Sequence, residues 1–279
     1  MDIASQEDNR GVHLDEVGVT GVKIPIRVLD KNEAREYQYT IGTFDAFVML
    51  PDDQRGTHMS RIVEIIYKNR KDINARGMHN AAEELANRLD ARCSRIRVTF
   101  PYFVDVSSPV SKLQNSMVYQ ARFDMRYEEV DCQVRSLRTF EQPAGKITDC
   151  VWDFRLGVDV DVMTVCPCAL EECQTGASHV QRGQIKIDVK PEEAAMIWLE
   201  DLIDVAEKSG SSPVYERLKR VDESYVVNSG FNNPQFVEDV VRDAALRARE
   251  LSIKAYRISC ENFESIHQHN AYAKKEWKW

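Results

Sequence analysis

Val158-Asp159-Val160-Asp161-Val162-Met163-Thr164-Val165-Cys166-Pro167-Cys168 is the stretch from which the chain is best read. Up to Val165, apolar and polar residues alternate, the period of a strand with one face on a core and the other toward water. The run ends on two thiols separated by one residue. They are too few and too close to complete a four-ligand structural zinc site. They suit one thiolate metal ligand with a second reactive group beside it. A pair of small, half-buried cysteines at a strand end is the plainer alternative.

Working outward, strand signals run over 23–50, where Ile24, Ile26 and Val28 alternate and Phe44, Phe47, Val48 and Leu50 precede Pro51. The spacing predicts a short helix over 60–67 and another over 78–91, where Ala82, Leu85, Ala86 and Leu89 recur. Strands are expected at 93–104, 115–130, 132–142, 148–166 and 181–190, then a helix over 192–208 that Ser209-Gly210-Ser211-Ser212-Pro213 breaks. Asn233-Pro234 opens a last helix over 234–251, since Pro is tolerated in a first turn, and a strand follows over 252–263. Two similar α+β units emerge, joined around Pro143-Ala144-Gly145, with antiparallel sheets carrying helices on one face. The expected division is an arm over 1–22, a first module over 23–142, a second over 143–272 that holds the cysteine pair, and a tail over 273–279.

A chain of 279 residues with 43% hydrophobic and 29% charged residues can bury a substantial core. Its net charge of -8 argues against general nucleic-acid affinity, which relies on Lys and Arg neutralising phosphate. The polar start Met1-Asp2-Ile3-Ala4-Ser5-Gln6-Glu7-Asp8 is no signal peptide, and no apolar run is long enough to span a bilayer. Seven cysteines without framework spacing fit a reducing cytoplasm. Cys93, Cys132, Cys150 and Cys260 fall in strand-like stretches and are expected in the core.

Six histidines are available to complete a site. His179 lies thirteen residues beyond Cys166, a step that suits a loop leaving a strand and folding back on its tip. A Cys/His/carboxylate set with one position left for water is the pattern of a catalytic zinc-type site. His267 and His269 would share a face of a strand, or else form a solvated pair. Glu223 and Glu238 are single carboxylates in charged surroundings, each open to a plain solvated reading. The segment Arg55-Gly56-Thr57-His58-Met59-Ser60-Arg61 has no Gly-rich phosphate cradle, so a P-loop or dinucleotide fingerprint is excluded. Phosphate would have to be met by Arg, Lys and His side chains.

Five segments occur in the order found in the prokaryotic type IB GTP cyclohydrolases. They are Arg55–Arg61, Val165–Cys168, Gly176–Arg182, Asn232–Asp239 and Glu261–His269, and the resemblance runs from about Gly18 to Tyr272. It implies an α+β tunnelling fold, with two tandem antiparallel-sheet-plus-two-helix modules per subunit, assembled as a homotetramer with interfacial active sites. The implied reaction opens GTP to 7,8-dihydroneopterin triphosphate and formate, the first step of folate-type pterin synthesis. A divalent metal, zinc, manganese or iron, is implied on Cys166, His179 and Glu223. Cys168 resembles the second, catalytic cysteine, His267 the proton-transfer histidine with His179 as its alternative, and Glu238 the carboxylate that anchors the guanine edge. Arg55, His58, Arg61, Arg182 and His269 are the remaining candidates for holding substrate.

The loop Ala169-Leu170-Glu171-Glu172-Cys173-Gln174-Thr175 departs from the usual bacterial pattern, and Thr164-Val165-Cys166 has something of an archaeal branch that makes a cyclic phosphate instead. A metal-free Cys168–His179 thiol pair and a pterin- or purine-binding module without ring opening stay open as rival readings.

Overall fold

The computed structural model describes residue 4 and residues 6–31, 35–131, 148–193 and 195–279. The strand expected over 132–142, the joint at Pro143-Ala144-Gly145 and Cys132 lie outside these residues. In chain order the elements are β1 (Leu14–Leu29), β2 (Tyr37–Leu50), α1 (Met59–Asn69), α2 (Ala75–Arg88), β3 (Cys93–Ser107), β4 (Gln114–Asp131) and β5 (Thr148–Val165). Then come α3 (Pro167–Glu172), β6 (Val180–Pro191), α4 (Leu199–Glu207), β7 (Ser212–Pro213), α5 (Arg220–Asn232), α6 (Val237–Ala248), β8 (Ile253–Phe263) and β9 (Ala271–Trp277).

Among the described residues the strands form one nine-stranded sheet in the order β1-β2-β3-β4-β5-β6-β8-β9, with β7 paired to β5 off this path. Two compact units are interleaved along the chain: Met1–Asp30, Tyr39–Thr99 and Phe123–Phe154 make the first, and Lys31–Gln38, Phe100–Arg122 and Arg155–Trp279 the second. This corrects the expected tunnelling fold of two tandem sheet-plus-two-helix modules. The physical reason is strand length: β3, β4 and β5, at 15, 18 and 18 residues, each contribute to both units.

In the first unit, β2 and β3 pair antiparallel with Phe44 opposite Val98 and Ala46 opposite Ile96, and all four side chains are buried. Ile62, Ile65 and Ile66 of α1, and Met78, Ala82 and Leu85 of α2, are buried as well. Helix α2 is capped by Asn74, whose side chain accepts from the Gly77 amide at 2.9 Å. A side chain at Gly77 would collide with the backbone carbonyl of Asp72, so only glycine allows the chain to turn there.

In the second unit, Val158, Val160 and Val162 of β5 are fully buried, while Asp159 and Asp161 take the opposite face, as their alternation requires. Asp159 and Asp188 both bind the Arg122 guanidinium, which neutralises charge on that face. Burying each valine is worth about 1.5–3 kcal/mol. Trp277 of β9 stacks on Tyr256 of β8 with centroids 5.6 Å apart, so the expected tail is an edge strand. Likewise β1 begins at Leu14, inside the stretch read as an arm. Of the cysteines expected in the core, Cys260 is buried, Cys93 is half-buried and Cys150 is exposed. Burial pushes the Cys260 thiol up to about 12.

Two carboxylates in this unit, one buried and one half-buried, behave oppositely. Asp222, with 0% exposure, accepts from the Val110 and Ser111 amides at 2.9 and 2.7 Å, the Ser111 hydroxyl at 2.6 Å and the Lys219 amide at 2.9 Å. Burial alone would raise its pKa, but these donors outweigh it and hold the carboxyl well below the usual range. It joins the first turn of α5 to the 108–113 turn. Glu207, at the end of α4, accepts from the Tyr119 hydroxyl at 2.7 Å. There burial dominates and pushes the carboxyl up.

Two outcomes follow from these environments. An Asp with a depressed folded pKa stabilises above its unfolded pKa, and that stability is lost as pH falls through the folded value. Asp222→Ala therefore lowers Tm at neutral pH and speeds amide hydrogen exchange at Val110 and Ser111; unchanged protection there contradicts the anchor. A Glu with a raised folded pKa has the opposite sign, its contribution being lost as pH rises through the folded value. Glu207→Gln keeps an acceptor for Tyr119 and raises Tm, by on the order of 2 °C, near pH 8 but not near pH 4. A gain of equal size at both pH values refutes the assignment to ionisation.

Candidate functional site

Register brings the cysteine pair and His179 together. Strand β5 pairs antiparallel with β6, from Leu156 opposite Val189 to Val165 opposite Val180. One rung further, the Cys166 amide donates to the His179 carbonyl at 3.3 Å. The thirteen-residue step is thus the loop of a hairpin, with α3 inside it. The Ser178 hydroxyl clamps its neck, donating to the Cys166 carbonyl at 2.7 Å. Pro167 opens α3 at its first position, where its missing N–H costs nothing, and Cys166 precedes it as the cap residue. Cys166 is half-buried and Cys168 is exposed.

The other edge of the same strand end is also held. The Val165 amide donates to Ser211 Oγ at 3.1 Å, and the Gln235 amide donates to the Val165 carbonyl at 3.0 Å. That second bond sets the entry to α6, so Glu238, in the first turn, starts from the end of β5. Helix α5 passes close by, since a Cβ on Gly230 would run into the Met163 side chain. Glu238 and Glu223 are both exposed on the first turns of these helices.

The His179 side chain is 14% exposed, and its Nδ1 lies 3.0 Å from Gln181 Oε1 and 3.5 Å from Glu264 Oε2. Its ring meets that of His267 edge-on at 6.5 Å between centroids, and His267 stacks on His269 at 5.2 Å. The two histidines sit in the bend after β8 rather than on a strand, yet they do pair. Strand β8 pairs with β6 so that Arg182 faces Phe263, which puts Gln181 and Glu264 at the next facing position.

The rings of His179, His267 and His269 are therefore in contact in the second unit, with His267 and His269 exposed, and Cys166 meets His179 through the backbone. Arg182 is exposed on β6, 3.4 Å from Asp161. Arg55, His58 and Arg61 belong to the first unit, at the entrance to α1: Arg55 donates to Gln6 Oε1 at 2.7 Å, His58 is the α1 cap residue, and Arg61 is exposed. Glu264, Gln181 and Ser178 were not singled out from the sequence. Gln181 carried a signal, because it lies two residues after His179 where a strand returns it to the same face. Glu264 carried none, being a carboxylate in a polar segment.

Among the described residues, no three His, Cys, Asp or Glu side chains stand close enough to hold a metal ion. The donor chemistry nevertheless fits a borderline divalent ion. A thiol and an imidazole come from facing residues just beyond β5 and β6, and Glu264 Oε2 is buried without a hydrogen-bond partner. No helix of the described residues is long and apolar enough to cross a membrane.

Solved structures similar to this chain include a uricase from Bacillus fastidious, with TM-score 0.56 and 7% identity over 96% of this chain and 94% of that one. Another is a urate oxidase from Bacillus sp. TB-90, with TM-score 0.53 and 8% identity over 95% and 99%. At such identities the likeness concerns fold alone. With the single nine-stranded sheet, it stands in place of the two-module tunnelling fold expected from the sequence. The GTP cyclohydrolase FolE2 of Pseudothermotoga lettingae is 40% identical over 273 residues, covering 98% of this chain and 96% of that protein. That of Syntrophotalea carbinolica is 39% identical over 277 residues, covering 99% and 94%. A family model described as type I GTP cyclohydrolase FolE2 matches residues 1–273. With that match and these near full-length relatives, the chain belongs to the type I GTP cyclohydrolase FolE2 family.

Proposed function

We propose that the chain hydrolyses GTP to 7,8-dihydroneopterin triphosphate and formate, at a site built on the C-terminal end of β5, as the first step of folate-type pterin synthesis. The observation that carries this reading is the convergence of Cys166, His179 and His267 in a chain of this family. Guanine presents N1–H and N2–H₂ as adjacent donors, and the exposed Glu238 carboxylate is an acceptor-only partner for them. Cys168, exposed in the first turn of α3, is the working thiol beside the ring. His267, in edge contact with His179, is the proposed donor of a proton to N7 as the imidazole ring opens. Arg182 and His269, in the second unit, are the donor groups proposed for the triphosphate, and Arg55, His58 and Arg61, in the first unit, are the other substrate-holding candidates.

Cys166, His179 and Glu223 are the proposed holders of a divalent ion, zinc, manganese or iron. The chemistry such an ion supplies when bound is the acidification of a water. Glu223 is exposed on α5, and its neighbour Asp222 fixes the turn that carries it. A homotetramer with interfacial active sites accounts for a Glu223 and a Glu238 that face outward in a single chain, and light scattering of the purified protein tests that assembly.

The decisive assay incubates the protein with GTP under zinc, manganese or iron and identifies formate and the pterin by mass. Cys168→Ala lowers turnover by about 10²–10⁴-fold while bound metal is kept. Cys166→Ala loses both metal and turnover. Formate release and metal content both intact in Cys166→Ala would sink the scheme. A cyclic phosphate product would move the chain to the other branch, and binding without formate would leave only a binding module.

A further inference from the structure

The chain before β1 pairs with the segment that enters α1, and both belong to the first unit. The Arg55 amide donates to the Gln6 carbonyl at 3.0 Å, the Asp8 amide to the Asp53 carbonyl at 2.8 Å and the Gly56 amide to the Ala4 carbonyl at 3.0 Å. Glu7 and Gln54 form an antiparallel bridge, so the register sets Gln6 opposite Arg55. Facing residues carry their side chains on one side of the pair. Arg55 Nη1 accordingly donates to Gln6 Oε1 at 2.7 Å. Asp8 is engaged elsewhere, since the Arg10 amide and Nε both donate to its Oδ1 at 2.9 Å. These bonds from Arg10, with a smaller contribution from the Arg55 charge, hold the Asp8 carboxyl below the usual range. The hydrogen-bond partner of the exposed Arg55 head is thus a neutral amide. A guanidinium carries five N–H donors, and a neutral acceptor aims it without pairing its charge.

We propose that Gln6 is a positioning residue, which holds the Arg55 guanidinium ready for the triphosphate of GTP and leaves its charge available to phosphate. Ordering a long cationic side chain at the moment of binding costs affinity, and a head held beforehand loses less. The backbone bonds decide where the segment lies, and the side-chain bond decides where the head points. Gln54 Nε2 donates to the Gly56 carbonyl at 2.8 Å and stiffens the same segment. A carboxylate at position 6 would also accept from Arg55, but it would pair with the guanidinium and compete with phosphate. Gln6 thus acts through Arg55, in a role separate from metal binding. This inference rests on the reading of Arg55 as a substrate-holding group.

The test measures KM and kcat for GTP on the full chain, and the Kd of inorganic triphosphate by calorimetry. Gln6→Ala raises KM and that Kd by about 3–10-fold, the worth of one lost hydrogen bond, and leaves kcat within about twofold. Gln6→Glu raises both at least as much, although it keeps an acceptor of the same reach; a merely structural residue would be rescued by it. Arg55→Ala raises the same two constants further. Amide hydrogen exchange at Arg55 and Gly56 is the folding control, because the backbone bonds to the arm survive either change at position 6. Unchanged constants in Gln6→Ala beside a raised KM in Arg55→Ala overturn the inference and leave Arg55 as a substrate group. A Gln6→Glu variant that behaves as wild type overturns it too. Wild-type KM and Kd in Arg55→Ala overturn the reading of Arg55 itself, and this inference with it. A wild type without GTP turnover sinks the proposed function, while the calorimetric arm still reads Gln6. Should the alanine variant lose amide protection, the glutamate variant decides.

Discussion

The β5–β6 ladder, carried one rung beyond Val165–Val180 to the bond between Cys166 and His179, is the constraint on which the site depends. Backbone hydrogen bonds are modest one by one, about 0.5–1.5 kcal/mol each, but their register is unforgiving. A slip of one residue would turn Val158, Val160 and Val162 out of the core and bring the aspartates in. The buried valines therefore decide which residue of the loop returns opposite Cys166. The fold sets Cys166 and His179 opposite each other, one residue beyond the paired ends of β5 and β6.

A second set of bonds holds the same strand end from its other side. Ser211 and Gln235 hold Val165 from the other side, and Gln235 starts the turn that leads to Glu238. Asp222 pins the start of α5 beside it, one residue before Glu223. The groups proposed for metal, base and proton thus come from five separate stretches of chain, ending β5, entering β6, opening α5 and α6, and following β8. The proposed site is assembled on strands and helices, with Cys168 exposed on the short helix α3.

Period-two alternation made β5 and β8 legible, because a half-buried strand writes its burial directly into the sequence. The Cys166–His179 spacing was readable as a folded-back loop for the same reason. Helix α5 was missed. Only Asp222, Val226 and Gly230 of its thirteen residues are buried, so it has no apolar stripe, and what anchors it is a buried carboxylate. Helix α4 starts at Leu199 rather than 192, because Asp201 accepts from the Trp198 amide and sets the cap there. Sheet continuity was not readable either, since the neighbours of a strand are not encoded in its own alternation. The ligand partners of His179 were half legible: Gln181 by strand period, Glu264 only through a register between β6 and β8.

The central claim is that the end of β5 is a metal-dependent reactive centre with a single thiolate ligand. X-ray absorption at the zinc edge of the zinc-loaded protein tests it most directly. The account predicts one sulfur scatterer from Cys166, with nitrogen and oxygen making up the rest, and loss of that sulfur in Cys166→Ala. A shell of nitrogen and oxygen alone, or one unchanged by that substitution, would contradict it.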